Sequence, residues 1–218
     1  RKQYYFEDIS SKLKQNETDH SEIAMIMFAQ YVQGSTFGQV VKMAEAVTDL
    51  AKRCTDAERD NPNCQKPLDR IFLNTICQED NLPRFTDCCA KKDPDRNDCF
   101  LSLKNSSRGL ISPFERPNAE AACKNYSEHH HTLPGHFIYE VSRRHPLLYA
   151  STILSVAMHY DKMMKDCCRT AEDSTHNLEE CFRRQAPKVV KPIREDGLRQ
   201  EHTCGILKKF GERTIKAL

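Results

Sequence analysis

Sulfur is the chemistry that this sequence offers most plainly. Eleven cysteines are spread along 218 residues, and four of them form the adjacent doublets Cys88-Cys89 and Cys167-Cys168. Neighbouring residues on a helix point about 100° apart, and a bridge between them would need a strained, distorted peptide. Each doublet therefore reads as a fork, with one sulfur reaching back to an earlier helix and the other forward to a later one. Cys77 precedes and Cys99 follows the first doublet; Cys123 and Cys181 flank the second in the same way. The order Cys, Cys-Cys, Cys thus occurs twice, as in a duplicated, disulfide-stapled helical scaffold. Zinc is the competing chemistry, but its sites set closely spaced C-x2–4-C pairs against other pairs, and the sequence has none. So many cysteines also fit an oxidising compartment, since cytosolic glutathione would keep them reduced. Ten can pair locally, and Cys204 is the one left over.

Other reactive groups are less organised. His129, His130 and His131 are consecutive, with His136 nearby; on a helix three such rings fan out and do not converge on one ion, so the run reads as a solvated polar face. Asp93, Asp95 and Asp98 surround Pro94 and read as a turn that they cap or solvate. No catalytic triad, phosphate loop or paired-carboxylate arrangement stands out, so the sequence reads as a non-enzyme with no cofactor. Acceptor sequons for N-linked glycans occur at Asn16, Asn105 and Asn125, which suits a secreted chain. The balance of 33 Lys and Arg against 31 Asp and Glu leaves a net charge of only +2. No basic stripe is left for nucleic acid. The longest apolar run, Ile23–Ala29, falls far short of a membrane span, so no membrane insertion is expected. No signal peptide heads the chain, which reads as a mature, processed product.

These groups must be positioned by helices. Strand and hairpin signals are missing, whereas Phe37, Val40, Val41, Ala44, Val47 and Ala51 fall at the three-and-four spacing of one buried face. Thr36 with Gln39 forms a capping box at its start. Ile153, Ala157, Tyr160, Met164 and Cys168 form a second stripe that ends on the second doublet. Phe137, Ile138 and Val141 begin a shorter one that Pro146 should end near His145. The fold class is all-α. A loop from Lys104 to Pro117, with Asn105, Gly109 and Pro113, reads as the join between two halves. Arg169–Glu180 reads as an exposed turn. The segment Leu198–Leu218 carries Cys204, Leu207 and Phe210 and ends without a cap, as a helix does when the chain continues.

Several segments resemble the serum albumin family, the group that comprises albumin, α-fetoprotein and afamin. They are Phe28-Ala29-Gln30-Tyr31, Asp87-Cys88-Cys89-Ala90-Lys91, Asp95-Arg96-Asn97-Asp98-Cys99-Phe100, Phe137-Ile138-Tyr139-Glu140-Val141 and Arg143-Arg144-His145-Pro146, all similar to the family's first domain. The run from Cys204 to Arg213 resembles the start of its second. The resemblance implies a disulfide-stapled albumin-like domain with one helical subdomain over 1–107, another over 108–200, and a helix over 201–218 leading into a second domain. It implies the pairs Cys54–Cys64, Cys77–Cys89, Cys88–Cys99, Cys123–Cys168 and Cys167–Cys181. Cys204 would look for a partner beyond residue 218. The departures are also informative. Ser35 stands where mammalian albumin has its reactive cysteine, and Gln3 where its amino-terminal copper site needs histidine. Asn97 matches one ligand of an interdomain zinc site, while the histidine ligand of this domain falls at Asp69. Thr203 replaces a reactive lysine. Three sequons and a missing thiol resemble the α-fetoprotein and afamin branches, or a non-mammalian albumin, more than mammalian albumin.

By the same resemblance the first domain holds a long-chain anion, its tail among helices and its carboxylate on an arginine and a tyrosine. The matching positions are Arg116 and Tyr160, with Phe137 where the family often has a second tyrosine. His145 and Arg194 match basic residues at the mouth of that pocket, and Tyr149 matches one near the next domain. The chemistry is sound in itself, because a guanidinium offers a fork to a carboxylate and a tyrosine adds a neutral donor in an apolar cavity. Read without the family, Tyr160 and Phe137 are core aromatics and Arg116 a solvated loop residue. The expected function is that of a secreted plasma carrier binding lipophilic anions such as fatty acids, pigments or steroid-like ligands. The alternative is an afamin-like chaperone that covers a lipidated or apolar partner protein.

Overall fold

The structure is a computed structural model that describes residues 17–56, 61–80, 82–106, 111–112, 114–115, 117–169 and 177–196. Among the described residues there is helix and no strand. Helices α1 (Glu17–Tyr31), α2 (Phe37–Asp56), α3 (Leu68–Gln78), α4 (Thr86–Cys89), α5 (Asp95–Ser106), α6 (Ala119–His129), α7 (Leu133–Arg144) and α8 (Ala150–Cys168) follow in order. A last helix, α9, occupies 178–196. Two compact units share them: one takes residues 1–114 and 135–147, the other 115–134 and 148–218.

In the first unit the part of α1 from Ile23 onward is apolar almost all round, which is the signature of a helix segment surrounded by protein. Ile23, Ala24, Ile26, Met27, Phe28 and Ala29 are all buried. Phe28 stacks on Phe72 of α3 with ring centroids 3.9 Å apart, and burying each such ring contributes about 2–3 kcal/mol. The capping box that opens α2 is complete: the Gln39 amide N–H donates to Thr36 Oγ1 at 3.2 Å, and the Thr36 N–H donates to Gln39 Oε1 at 2.9 Å. Val40, Ala44 and Val47 lie in the core, joined by Met43. Ala51 does not: residues 51–53 are exposed, because the stripe keeps its spacing while the helix runs past the elements that could cover it.

The expected loop at Lys104 begins later than its composition suggests. Lys104, Asn105 and Ser106 complete α5, and Lys104 is buried, because a lysine stem packs as hydrocarbon. Asp93 is more than a capping residue. Its carboxylate accepts from Arg96 Nε at 3.0 Å and from Arg70 Nε at 3.1 Å, while Arg96 Nη1 reaches Asn74 Oδ1 at 2.7 Å. The turn before α5 is thereby tied to α3. Three disulfides close this unit: Cys54–Cys64, Cys77–Cys89 and Cys88–Cys99. The first doublet sends Cys89 back to α3 and Cys88 forward to α5.

In the second unit Asn118 caps α6, its Oδ1 accepting from the Ala121 N–H at 2.8 Å. Asn177 does the same for α9, accepting from the Glu180 N–H at 3.1 Å. The polar stretch read as a turn up to Glu180 therefore gives way to helix at residue 178. Ile153, Val156, Met163 and Met164 of α8 pack in a core that also holds Ala122, Phe182 and Val189. The disulfides Cys123–Cys168 and Cys167–Cys181 fork from the end of α8 to α6 and α9. A Glu179 carboxylate oxygen accepts from the Ala119 N–H at 2.7 Å, and the Tyr126 hydroxyl donates to Asp161 at 3.1 Å.

Candidate functional site

The candidate anion-binding residues fall in both units. Phe137 and His145 belong to the first, whereas Tyr149, Tyr160 and Arg194 belong to the second. Arg116 lies outside the described residues, as do Asn16, Gln3, Thr203, Cys204 and the whole 198–218 segment.

Phe137 is half-buried on α7, whose inner face is set by Ile138 and Tyr139. Its ring meets Phe114 edge-on, at 6.4 Å between centroids and 88° between planes, a favourable aromatic geometry. Phe114 is 46% exposed, an open position for so large an apolar group. The Arg144 guanidinium stands 5.7 Å from the Phe114 ring centroid, held by the Ser112 carbonyl at 2.8 Å and by the Glu140 carboxylate. An aromatic pair with a cation over one face results.

The next residue, His145, has the α7 helix behind it and ends the run before Pro146. Partial burial of its ring comes first, and the adjacent Arg144 charge second, in holding it below the ordinary histidine range. Its carbonyl accepts from Gln30 Nε2 at 3.2 Å. Beside it, the Tyr139 hydroxyl donates to the Ser35 carbonyl at 2.5 Å and accepts from Arg143 Nη1. Ser35 itself is buried. Sequence reasoning singled out Ser35 but not the tyrosine that fastens it, because an inward tyrosine on a helix looks like any core aromatic.

In the second unit Tyr160 is half-buried on α8, and Arg194 is exposed on α9. Tyr149 is 51% exposed at the N-cap of α8. A groove of about 310 Å³ runs along this unit, lined by Ser151, Thr152, Ser155, His159, Lys188 and Lys191 among others. None of its residues is among the sequence candidates.

For metals, Asn97 stands half-buried on α5 and Asp69 half-buried in the first turn of α3. Among the described residues no group of three or more His, Cys, Asp or Glu side chains could hold an ion. His129, His130 and His131 are all exposed. No helix among the described residues is long and apolar enough to cross a membrane.

Two helical units whose cysteine doublets fork to neighbouring helices define a disulfide-stapled, all-α protein. The family model for the serum albumin family matches residues 7–187, and the chain belongs to that family. It is 91% identical over 195 residues to an alpha-fetoprotein of Gallus gallus, covering 89% of this chain and 32% of that protein. It is 39% identical to a Gallus gallus albumin, covering 92% of this chain and 32% of the relative. Among solved structures, human afamin superposes with a TM-score of 0.77 at 32% identity, covering 91% of this chain and 34% of that one. The chain thus spans about a third of the length of the relatives it matches.

Proposed function

We propose that this chain is a binding module of an extracellular plasma carrier, which takes up lipophilic anions such as fatty acids, pigments or steroid-like ligands reversibly and without chemical change. The observation that carries the reading is the open aromatic pair of the first unit. Phe114 stands 46% exposed, with Phe137 at its edge and the Arg144 guanidinium over its face. Apolar rings left partly open beside a fixed cation suit an amphipathic anion better than they suit solvent. Arg116, two positions along from Phe114, is the proposed carboxylate partner. The family resemblance also implies Tyr160 as a neutral donor and names Tyr149 and Arg194 of the second unit and His145 of the first as candidate ligand residues. The disulfides give helices that hold their positions when no ligand fills the space between them. Five bridges close loops of 10 to 45 residues, each removing about 3–4 kcal/mol of unfolded-state freedom.

The test is Arg116→Ala, titrated with a long-chain fatty acid and with the matching alcohol. A charge-assisted hydrogen bond predicts a loss of about tenfold or more for the acid and little for the alcohol. Equal losses would reduce Arg116 to a wall of the cavity. Absence of saturable binding in the unsubstituted chain would overturn the carrier reading. Native mass spectrometry of protein from its natural source separates the chaperone alternative, which expects a stoichiometric protein partner in place of retained small molecules.

A further inference from the structure

We infer that the groove between α8 and α9 is a second binding site, taking a compact organic oxyanion with a single small ring as its body. The site lies wholly within the second unit and involves none of the residues assigned above to the fatty-acid-type ligand. Its basic side chains come from both walls: His159 from α8, Lys188 and Lys191 from α9. Glu195 is the one acidic residue of the lining, and it pairs with Lys191 at 3.6 Å. Among the described residues no carboxylate pairs with Lys188, so one ammonium is left over in the groove.

His159 is oriented. Its Nδ1 lies 2.7 Å from the Ser155 carbonyl oxygen. A carbonyl only accepts, so Nδ1 carries the hydrogen; Nε2 is the nitrogen left for a ligand, and it donates to an oxyanion when it too carries a hydrogen. Thr152 is buried at the base while Ser151 and Ser155 are more open, and hydroxyls complement an oxyanion as donors. The Pro192 ring, the Thr152 methyl and the lysine stems supply apolar wall. A volume of about 310 Å³ admits one ring and its head group.

Phenyl phosphate is the probe, with inorganic phosphate and phenol as the two halves of its chemistry. Calorimetric titration of the intact chain should show saturable binding of phenyl phosphate, with each half alone at least about tenfold weaker. Lys188→Gln and His159→Gln replace exposed side chains and should leave the fold intact. Each should weaken phenyl phosphate about three- to tenfold while leaving fatty-acid affinity unchanged. Equal affinity for inorganic phosphate would overturn the assignment of an organic ligand. Unchanged binding in both variants, or no saturable binding, would overturn the site. Neither result bears on Arg116, so failure here is distinguishable from failure of the carrier reading.

Discussion

Lys104 Nζ stands 4.4 Å from the centroid of the Tyr31 ring, and both residues are buried in the first unit. Burial pulls the lysine down to about 8 and pushes the tyrosine up to about 12, the latter helped by the Asp69 charge. A cation over a ring face is favourable, yet each charged form is disfavoured by its surroundings.

A pH dependence follows, and its sign can be fixed. Between about pH 8 and 10.5 the unfolded chain still holds the lysine proton that the folded chain has released. Stability therefore rises with pH in that window, by roughly 2 kcal/mol between pH 8 and pH 10. Above pH 10 the tyrosine works the other way, because the folded state keeps its proton and the unfolded state does not. Urea unfolding from pH 7.5 to 10 should show the rise in the native chain and lose it in Lys104→Met. A parallel rise in the variant would assign it to other groups.

The Thr36–Gln39 capping box gives a second, local prediction. Thr36→Ala removes the acceptor for the Gln39 N–H and should cost about 1 kcal/mol, with Gln39→Ala costing less. Denaturant midpoints for both, and for the double variant, check it. Because the two bonds share one turn, the double variant should lose less than the two single losses combined.

This helix was legible because two independent signals agreed, the cap and the three-and-four stripe. Helix α8 was legible for the second reason alone. Helix α1 showed only as an apolar run: Ile23 through Ala29 are buried on every side, so no periodicity exists to be read. Helix α9 was hidden by Pro187 and Pro192, which withhold two N–H groups from the ladder and read as breakers. Lys104 reads in sequence as part of a polar linker, because residue type does not reveal that a stem is packed. The site was less legible than the fold. Arg116 and Tyr160 stand out only by resemblance, since an arginine in a loop and a tyrosine on an apolar stripe are ordinary. Ser151, Ser155 and His159 look like one solvated helix face until α9 is placed beside them.

The bridges should differ in value according to the chain they close. Cys123–Cys168 spans 45 residues and Cys54–Cys64 spans 10. Loop-closure entropy assigns about 4 kcal/mol to the first and about 3 kcal/mol to the second. Replacing each pair by alanines and measuring guanidinium unfolding should place the Cys123–Cys168 variant about 1 kcal/mol below the other. A reversed order would mean that local strain or packing outweighs loop length.

Glycosylation provides the last prediction. The sequon at Asn125 lies on α6, where Asn125 and Ser127 are exposed while the neighbouring Tyr126 turns to Asp161. A glycan on Asn125 would extend into solvent and leave that hydrogen bond and the buried Ala122–Cys123 face undisturbed. Protein from its natural source should therefore carry carbohydrate at this position. Enzymatic removal of N-linked glycans converts the modified asparagine to aspartate and should mark the Asn125 peptide by a mass increase of about one unit. Asn125→Gln, expressed in a secreting eukaryotic cell, should lose one glycan's mass with no change in unfolding free energy beyond about 0.5 kcal/mol. Recovery of the Asn125 peptide unmodified from native material would show that exposure on a folded helix does not report access for the transferase, which acts on the chain before α6 has formed.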